Sequence, residues 1–192
     1  MIGVYVVLAA GAGSRMGMPK ALVEIEGETL LAHHLHAAQI ARLGGPIVVT
    51  GVRAEEVEAA HAGYPARWVR SPAPESPMMA SVRLGLSAVP AGNVAVLTPV
   101  DVLPPRLDTL DQLAEAIEGL GESSLGVRPV MRGKGGHPLV LTPGAIREIL
   151  ADATIDRLDV WVRDAVAEER LADLEVDDYN VVSNLNAPAD LP

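Results

Sequence analysis

The chain of 192 residues contains no cysteine. Disulfide bonds, thiolate zinc sites, iron–sulfur clusters and cysteine nucleophiles are therefore excluded. Phenylalanine is also absent and aromatic residues make up 3% of the sequence, although 49% of all residues are hydrophobic. The core must therefore be filled by valine, leucine, isoleucine, alanine and methionine. The length fits one α/β domain over residues 1–192, and we find no internal repeat or linker.

The sequence also lacks an excess of positive charge. Its formal net charge of −10 argues against a nucleic-acid partner, because phosphate backbones are bound by clustered lysine and arginine. A small phosphorylated ligand needs only a few local cations, and a divalent metal can supply the rest of the charge. No apolar run approaches the roughly 20 residues of a membrane span, and "MIGVYVVLAAG" lacks a basic leader. We therefore expect a cytoplasmic protein without a membrane partner.

Alternating apolar segments predict the architecture. The run from Ile2 to Ala10 is nearly continuous in apolar residues, as in a parallel strand buried on both faces. Predicted helices and strands then alternate as far as residue 119, which is the pattern of βαβ units. Around "GKGGHP" (residues 133–138), two predicted strands flank a glycine-rich loop and indicate an antiparallel excursion. The predicted fold is α/β, a three-layer α/β/α Rossmann-like architecture with a mainly parallel, partly mixed sheet.

Three individual elements are predicted with defined features. Residues 28–45 read as a helix with Ile40 near its apolar face. A second helix is expected to start with Ser76 as its N-cap and Pro77 in its first turn. The segment "YNVVSNL" (residues 179–185) reads as a short strand.

The segment "VVLAAGAGSRMGMPKAL" (residues 6–22) places a glycine-rich turn between a strand and a helix, where backbone N–H groups bind anions. The dinucleotide fingerprint G-x-G-x-x-G fails, because position 16 is methionine and Gly17 comes one residue late. The P-loop pattern also fails, because Lys20 is followed by Ala21 instead of serine or threonine. Neither common glycine-rich signature fits.

What remains is a loop of backbone donors followed by two cations. Small residues at Ala9, Ala10, Gly11 and Gly13 let a nucleobase and phosphates approach the main chain. Arg15 can fork onto phosphate oxygens and Lys20 can act as a compact point charge. Pro19 stiffens the segment that carries Lys20. We therefore predict a triphosphate site formed by the loop Ala10–Gly13 together with Arg15 and Lys20.

Asp101 ends a predicted strand in "VLTPVDVLPP" (residues 96–105). Ligands of open α/β sheets gather at the carboxyl ends of the strands, where the glycine-rich loop also lies. A carboxylate there suits Mg²⁺, which takes one or two protein carboxylates plus phosphates and waters. The alternative is an aspartate that caps the turn before Pro104. The glycine-rich loop nearby favours the metal.

Taken together, "LAAGAGSRMGMPKAL" resembles the signature of nucleotidyltransferases that share the nucleoside-diphosphosugar transferase fold. It is closest to the branch of molybdenum-cofactor cytidylyl- and guanylyltransferases. The resemblance implies that Leu8 and the small residues after it contact the nucleotide, that Arg15 and Lys20 are catalytic, and that Asp101 is catalytic and binds Mg²⁺.

Three further segments carry the resemblance. "VVSNLNAPADL" resembles a late family element that adds a metal-side ligand, here Asn184 or Asn186, although both are amides and a threonine of the pattern is alanine. Turn asparagines are the alternative. "PMMASVRLGL" resembles a nucleotide-contacting helix start and implies a role for Ser81, while a capped amphipathic helix is the alternative. "GKGGHPLVL" resembles a strand near the acceptor and implies that His137 binds an acceptor phosphate, with Lys134 adding charge.

The resemblance implies an enzyme that transfers a nucleoside monophosphate from an NTP to an acceptor phosphate or hydroxyl and releases pyrophosphate. Ala9–Ala10–Gly11 resembles the form commoner in pyrimidine-using members, which favours CTP, with molybdopterin as one possible acceptor. The alternatives are a non-catalytic nucleotide- or sugar-nucleotide-binding regulatory module and a dinucleotide-dependent oxidoreductase. His33 and His36 stand at metal-binding spacing, but no third ligand accompanies them. The acceptor and the oligomeric state stay open.

Overall fold

A computed structural model describes residues 3–11, 17–72 and 77–185. The strands, in chain order, are β1 (Val4–Ala9), β2 (Glu24–Ile25), β3 (Glu28–Thr29), β4 (Gly44–Thr50), β5 (Arg67–Arg70), β6 (Ala95–Pro99), β7 (Gly126–Met131), β8 (Lys134–Gly135), β9 (Leu139–Leu141) and β10 (Leu171–Glu175). The helices are α1 (Leu30–Ile40), α2 (Ala54–Ala60), α3 (Met78–Ser87), α4 (Leu107–Glu118), α5 (Pro143–Ala151) and α6 (Leu158–Ala167). Two 3₁₀ turns cover Lys20–Leu22 and Tyr179–Val182.

The main sheet has the strand order β10-β7-β9-β6-β1-β4-β5, with β8 paired to β7. Its strands are parallel except that β9 runs antiparallel to both β6 and β7, and β8 antiparallel to β7. The predicted mainly parallel, mixed sheet and its antiparallel excursion are confirmed. β2 and β3 form a separate two-stranded hairpin that the sequence pattern did not predict.

Successive strands are added on one side of β1 up to β5 and then on its other side, beginning with β6, although β1 and β6 themselves are parallel. From β1 the chain adds β4 and then β5 on one side, and α3 then carries it back to β6 on the other side of β1. In open α/β sheets this reversal creates a crevice outside the carboxyl ends of the two strands, where ligands bind. The crevice here lies at Ala9 and Pro99, the last residues of β1 and β6.

Helices cover both faces of the sheet, which gives the predicted three layers. One core cluster joins the sheet to α3, α5 and α6, and the other joins it to α1, α2 and α4. Helix α3 packs very closely on the sheet, because a Cβ on its Gly85 would lie 2.8 Å from Val6 Cγ1 and 3.0 Å from Val49 Cγ2. Glycine at this position therefore lets α3 lie directly on β1 and β4.

The individual helices depart from the sequence predictions in three places. α1 starts after Thr29, whose hydroxyl accepts a hydrogen bond from the Ala32 amide, and Ile40 at its end is 62% exposed. α3 starts after Pro77 without a side-chain cap, and Ser76 lies outside the described residues. Residues 179–182 form a 3₁₀ turn instead of a strand, because the Asp178 carboxylate accepts a hydrogen bond from the Asn180 amide. In the described part of the chain, none of the helices is long and apolar enough to cross a membrane.

Candidate active site

The carboxyl ends of β1 and β6 lie side by side. Leu8 is the register partner of Pro99, and the Leu8 carbonyl accepts a hydrogen bond of 3.1 Å from the Val100 amide. The residues that follow β1 are therefore next to the turn that follows β6. The described start of the glycine-rich segment and the Asp101 turn therefore lie at the same edge of the sheet, as expected for the carboxyl ends of parallel strands.

The start of the glycine-rich loop is firmly held by its neighbours. Leu8, Ala9 and Ala10 are buried, whereas Gly11 is exposed with open space where a side chain would stand. Gly51 lies against the Ala10 carbonyl so closely that a Cβ there would collide with it. Gly13 and Arg15 lie outside the described residues, so their predicted contacts with a triphosphate stay predictions.

Lys20 is presented by the 3₁₀ turn Lys20–Leu22. Pro19 and Ala21 on either side of it are buried, and the Pro19 carbonyl accepts a hydrogen bond of 2.9 Å from the Leu22 amide. The ammonium group of Lys20 donates to the Asp101 carboxylate over 2.6 Å from Nζ to Oδ2. The two side chains are 20% and 23% exposed, so this short charge-assisted hydrogen bond is only partly screened by water.

Asp101 occupies a turn tied to the chain on both sides. The Val102 amide donates to the Pro99 carbonyl over 3.3 Å, and the Leu185 amide donates to the Asp101 carbonyl over 2.8 Å. Val102 also pairs with Asn184 in an isolated antiparallel bridge. The structure therefore brings the exposed Asn184 beside the Asp101 turn, as the resemblance implied. Asn186 lies outside the described residues.

The side-chain oxygens available here would supply only part of the coordination of a divalent cation. Among the described residues, no group of three histidine, cysteine, aspartate or glutamate side chains is placed to hold a metal ion. Asp101 offers a carboxylate that already faces a cationic group, and Asn184 on the adjacent segment has an amide oxygen. Mg²⁺ is commonly held by one or two carboxylates together with phosphate oxygens and waters. The residues fit such an ion when a triphosphate completes its coordination.

His137 lies at the same edge of the sheet, just before β9. Its amide donates to the Val181 carbonyl over 2.8 Å, and its ring Nδ1 is buried without a hydrogen-bond partner in the described part of the chain. Burial lowers the pKa of His137 to about 4, against the opposing charge of Asp101, so its imidazole is neutral at pH 7. A neutral ring with a free nitrogen can bind a polar ligand group but contributes no charge to a phosphate.

A cavity of about 610 Å³ adjoins His137. Its apolar lining includes Met79 of α3 together with Leu158 and Val162 of α6. Two arginines also line it, and both already have carboxylate partners: Arg128 contacts Asp173 at 2.6 Å, and Arg157 contacts Asp159 at 2.6 Å. The cavity is therefore mainly apolar, with little uncompensated positive charge.

The remaining residues singled out in the sequence are buried or contact other parts of the protein. Ser81 lies on the buried face of α3, and the Lys134 ammonium donates to the Val182 carbonyl over 3.2 Å. His33 is within 2.9 Å of the Ile25 carbonyl, and His36 lies between Glu28 and Tyr64. The two histidines at metal-binding spacing thus make separate protein contacts.

The sequence did not reveal a buried pair, Tyr5 and His34, that contacts the backbone of the Asp101 turn. The Tyr5 hydroxyl lies 2.9 Å from Nδ1 of His34, and Nε2 of His34 lies 3.3 Å from the Val100 carbonyl. The available signal was a histidine beside the apolar positions Leu31 and Leu35, which the helical pattern turns toward the core. A pattern of this kind shows that His34 is buried but not which group it contacts.

The strand order and the Lys20–Asp101 pair at the reversal of the sheet fit a nucleotidyltransferase, and comparison with known proteins places the chain among these enzymes. More narrowly, residues 5–175 match the family model described as the MobA-like NTP transferase domain, and the chain belongs to that family. The resemblance read from the glycine-rich segment is thereby confirmed.

Individual relatives agree with this placement. The bifunctional protein GlmU of Alkalilimnicola ehrlichii is 40% identical over 119 residues, which cover 60% of this chain and 26% of that protein. Among solved structures, Mth528, a nucleotidyl transferase from Methanothermobacter, is 26% identical with a TM-score of 0.79, covering 98% of this chain and 94% of its own. Rv0371c of Mycobacterium tuberculosis, solved in complex with manganese, is 22% identical with a TM-score of 0.73, covering 92% and 89% of the two chains.

Proposed function

We propose that this protein transfers a nucleoside monophosphate from an NTP to a small acceptor in a reaction that depends on Mg²⁺. The observation that carries the proposal is the 2.6 Å contact between Lys20 and Asp101 at the switch point of the sheet. It places a fixed cation and a carboxylate next to a glycine-rich loop whose first residues are buried and whose Gly11 is open. Phosphoryl transfer requires this combination of positioning and charge stabilisation and no protein nucleophile.

Different residues of the site would contact the phosphates and the metal ion. The backbone from Ala10 onward and Lys20 would contact the phosphates, and Arg15, by the family resemblance, would add a second cation. Asp101, with Asn184 on the adjoining segment or Asn186, would hold the metal. When bound, the metal neutralises charge on the α-phosphate and on the departing pyrophosphate. The manganese complex of Rv0371c supports a divalent cation on this fold.

The bond changes are those of one in-line displacement. An acceptor oxygen forms a bond to the α-phosphorus, the bond from that phosphorus to the β-phosphate oxygen breaks, and pyrophosphate leaves with the electron pair. An acceptor hydroxyl would release its proton to solvent water in this step, whereas an ionised acceptor phosphate has none to lose. Lys20 would stabilise the negative charge that accumulates between the α- and β-phosphates.

The cavity next to His137 is the proposed acceptor site. It lies at the carboxyl edge of the sheet, since His137 immediately precedes β9 and Leu139 of β9 pairs with Leu97 of β6. Because its arginines are already paired and Met79, Leu158 and Val162 are apolar, it favours an acceptor with a partly apolar, weakly charged body. The Nδ1 atom of His137 would meet a polar group of that acceptor.

Pyrophosphate release tests the proposal. The protein is assayed with each of CTP, GTP, ATP and UTP, with Mg²⁺ or Mn²⁺, and with a panel of acceptors that includes molybdopterin, a hexose 1-phosphate and an isoprenoid or aryl phosphate. We expect metal-dependent release with one NTP, CTP being favoured by the Ala9–Ala10–Gly11 segment. Tight binding of NAD or NADP without binding of any NTP would overturn the proposal and support an oxidoreductase.

A further inference from the structure

Tyr5 and His34 are two polar side chains enclosed in an aliphatic core. Both have 0% of their surface exposed, and Tyr5 and the neighbours of His34 on α1 belong to the cluster between the sheet and α1. Burying a hydroxyl or an imidazole without a hydrogen bond is unfavourable, because the group loses its bonds to water. The hydrogen bonds made by these two groups therefore determine where they can sit.

The partners fix the direction of the hydrogen-bond chain. A carbonyl only accepts, so the Nε2 atom of His34, 3.3 Å from the Val100 carbonyl, carries the proton. Nδ1 is then an acceptor, and the Tyr5 hydroxyl donates to it over 2.9 Å. Burial lowers the pKa of His34 to about 4, opposed by hydrogen bonds to the carbonyls of Val102 and Val100. The imidazole is thus a neutral donor aimed at the backbone on both sides of Asp101.

We propose that His34 is a positioning residue for Asp101. This inference rests on the proposed function, in which Asp101 holds the metal. Backbone hydrogen bonds restrain the amides of Val100 and Val102, through Leu8 and Pro99 respectively. His34 holds the carbonyl groups of Val100 and Val102 in the same turn. It so limits rotation of the peptide units on either side of Asp101. The turn then presents its carboxylate in one orientation before any ligand arrives.

His61 offers a matched control elsewhere on the same face of the sheet. It is also buried, 2% exposed, and its two ring nitrogens lie 2.7 Å from the Val57 carbonyl and 2.6 Å from the Thr29 hydroxyl. Neither of these partners belongs to the Asp101 turn. His61→Leu therefore removes a buried histidine with two hydrogen bonds but keeps both groups that His34 contacts, while Thr29 can still accept the hydrogen bond from the Ala32 amide that caps α1.

The test compares nucleotide binding with and without metal in the full-length protein. Calorimetric titration with CTP, or the NTP that the wild type binds best, is carried out with and without Mg²⁺ for the wild type, His34→Leu, His34→Gln and His61→Leu. We expect His34→Leu to lose about tenfold of the affinity gained from Mg²⁺, as is typical when a support of a metal ligand is removed, while metal-free binding is unchanged. His34→Gln, which retains an N–H donor, should recover most of the gain, and His61→Leu should retain it.

A second measurement needs neither metal nor nucleotide. Hydrogen exchange at the Val102 and Leu185 amides, which bond to Pro99 and Asp101, should accelerate in His34→Leu but not in His61→Leu. Should His34→Leu not fold, Tyr5→Phe, which removes the hydroxyl that donates to His34, should show a smaller change in the same direction. An unchanged gain from Mg²⁺ in the His34 and Tyr5 variants would overturn this inference alone, whereas a wild type that gains nothing from Mg²⁺ would overturn the metal site as well.

Discussion

Lys20 and Asp101 are separated by 81 positions in the sequence, yet the Lys20 ammonium lies 2.6 Å from the Asp101 carboxylate. The contact gives Asp101 a cationic partner at the place where the proposed metal would bind. Under the proposed function, a metal ion would compete with this ammonium group for Oδ2. Bound triphosphate would end the competition, because its oxygens would offer Lys20 new negative partners.

Replacing Asp101 by asparagine should abolish turnover without unfolding the protein. The amide keeps the shape of the side chain but removes the charge that holds the metal, so we expect kcat to fall at least ~100-fold. Pyrophosphate release measures the effect, and the thermal unfolding midpoint checks the fold. Asp111→Asn, at an exposed position of α4, is the control with the same chemical change. Turnover near the wild-type level in Asp101→Asn would show that the metal site is elsewhere.

Replacing Lys20 by methionine should change two affinities in opposite directions. Without the competing ammonium, Mn²⁺ alone should bind to Asp101 more tightly, by up to about fivefold for a pair of this partial exposure. CTP should bind more weakly and turn over more slowly, because a phosphate partner is gone. Electron paramagnetic resonance of free Mn²⁺ and calorimetry with CTP give the two affinities. A parallel fall in both would contradict the competition between Lys20 and the metal.

Stability should decrease as the pH falls from 6.5 towards 4. The native pKa of His34 is lowered to about 4, whereas the unfolded residue titrates near 6.5, so the unfolded state binds a proton first and is favoured below pH 6.5. The loss from His34 is about 3 kcal/mol when complete, and His137 acts in the same direction. Urea unfolding midpoints at pH 7, 6 and 5 measure it. His34→Gln should show a flatter dependence, and an identical slope would contradict the assignment.

Gly85→Ala should destabilise the protein although alanine favours helix formation. The new methyl group would lie 2.8 Å from Val6 Cγ1 and 3.0 Å from Val49 Cγ2, so α3 must move away from the sheet. Crowding of this kind costs about 1–3 kcal/mol, which exceeds the roughly 1 kcal/mol gained in helix propensity. Urea unfolding gives the difference. Gly63→Ala, where the space is open, should be nearly neutral.

Val162→Trp should separate the acceptor from the nucleotide. Its side chain lines the cavity of about 610 Å³, and an indole there would occupy part of that volume. We expect a higher KM for whichever acceptor of the panel is used and an unchanged affinity for CTP. Ala167→Trp, on the exposed side of α6, controls for the added indole. A weakened affinity for CTP with an unchanged acceptor KM would assign the cavity to the nucleotide.

The sequence predicted the centre of the sheet, because β1, β4 and β6 are apolar runs separated by helical segments. It failed for residues 179–182, where the adjacent Val181 and Val182 suggested a strand. A capping carboxylate from Asp178 turns this segment into a helical turn. The β2–β3 hairpin was also missed, because strands of two residues are too short to show an alternating pattern.

The site could be predicted as far as the strand ends determine it. Leu8 and Pro99 are register partners, so the segments that follow β1 and β6 start side by side. The contact between Lys20 and Asp101 itself is seen only in the structure. His34 could not be assigned in this way, because its partner Val100 lies 66 positions away and is a backbone carbonyl. Every residue has a backbone carbonyl, so the residue type at position 100 does not indicate a contact with His34.

β1 lies where the strand order reverses, between the residues proposed to bind the nucleotide and those that line the proposed acceptor cavity. Charged residues proposed to bind the nucleotide and its metal, such as Lys20 and Asp101, come from the first 101 positions, whereas Asn184 and most of the cavity wall come from Arg128 onward. Under the proposed function, the first stretch of chain would retain the nucleotide chemistry while the second would determine the acceptor. A chimera that joins residues up to Val102 to the later half of a family member should therefore take its acceptor preference from the second parent.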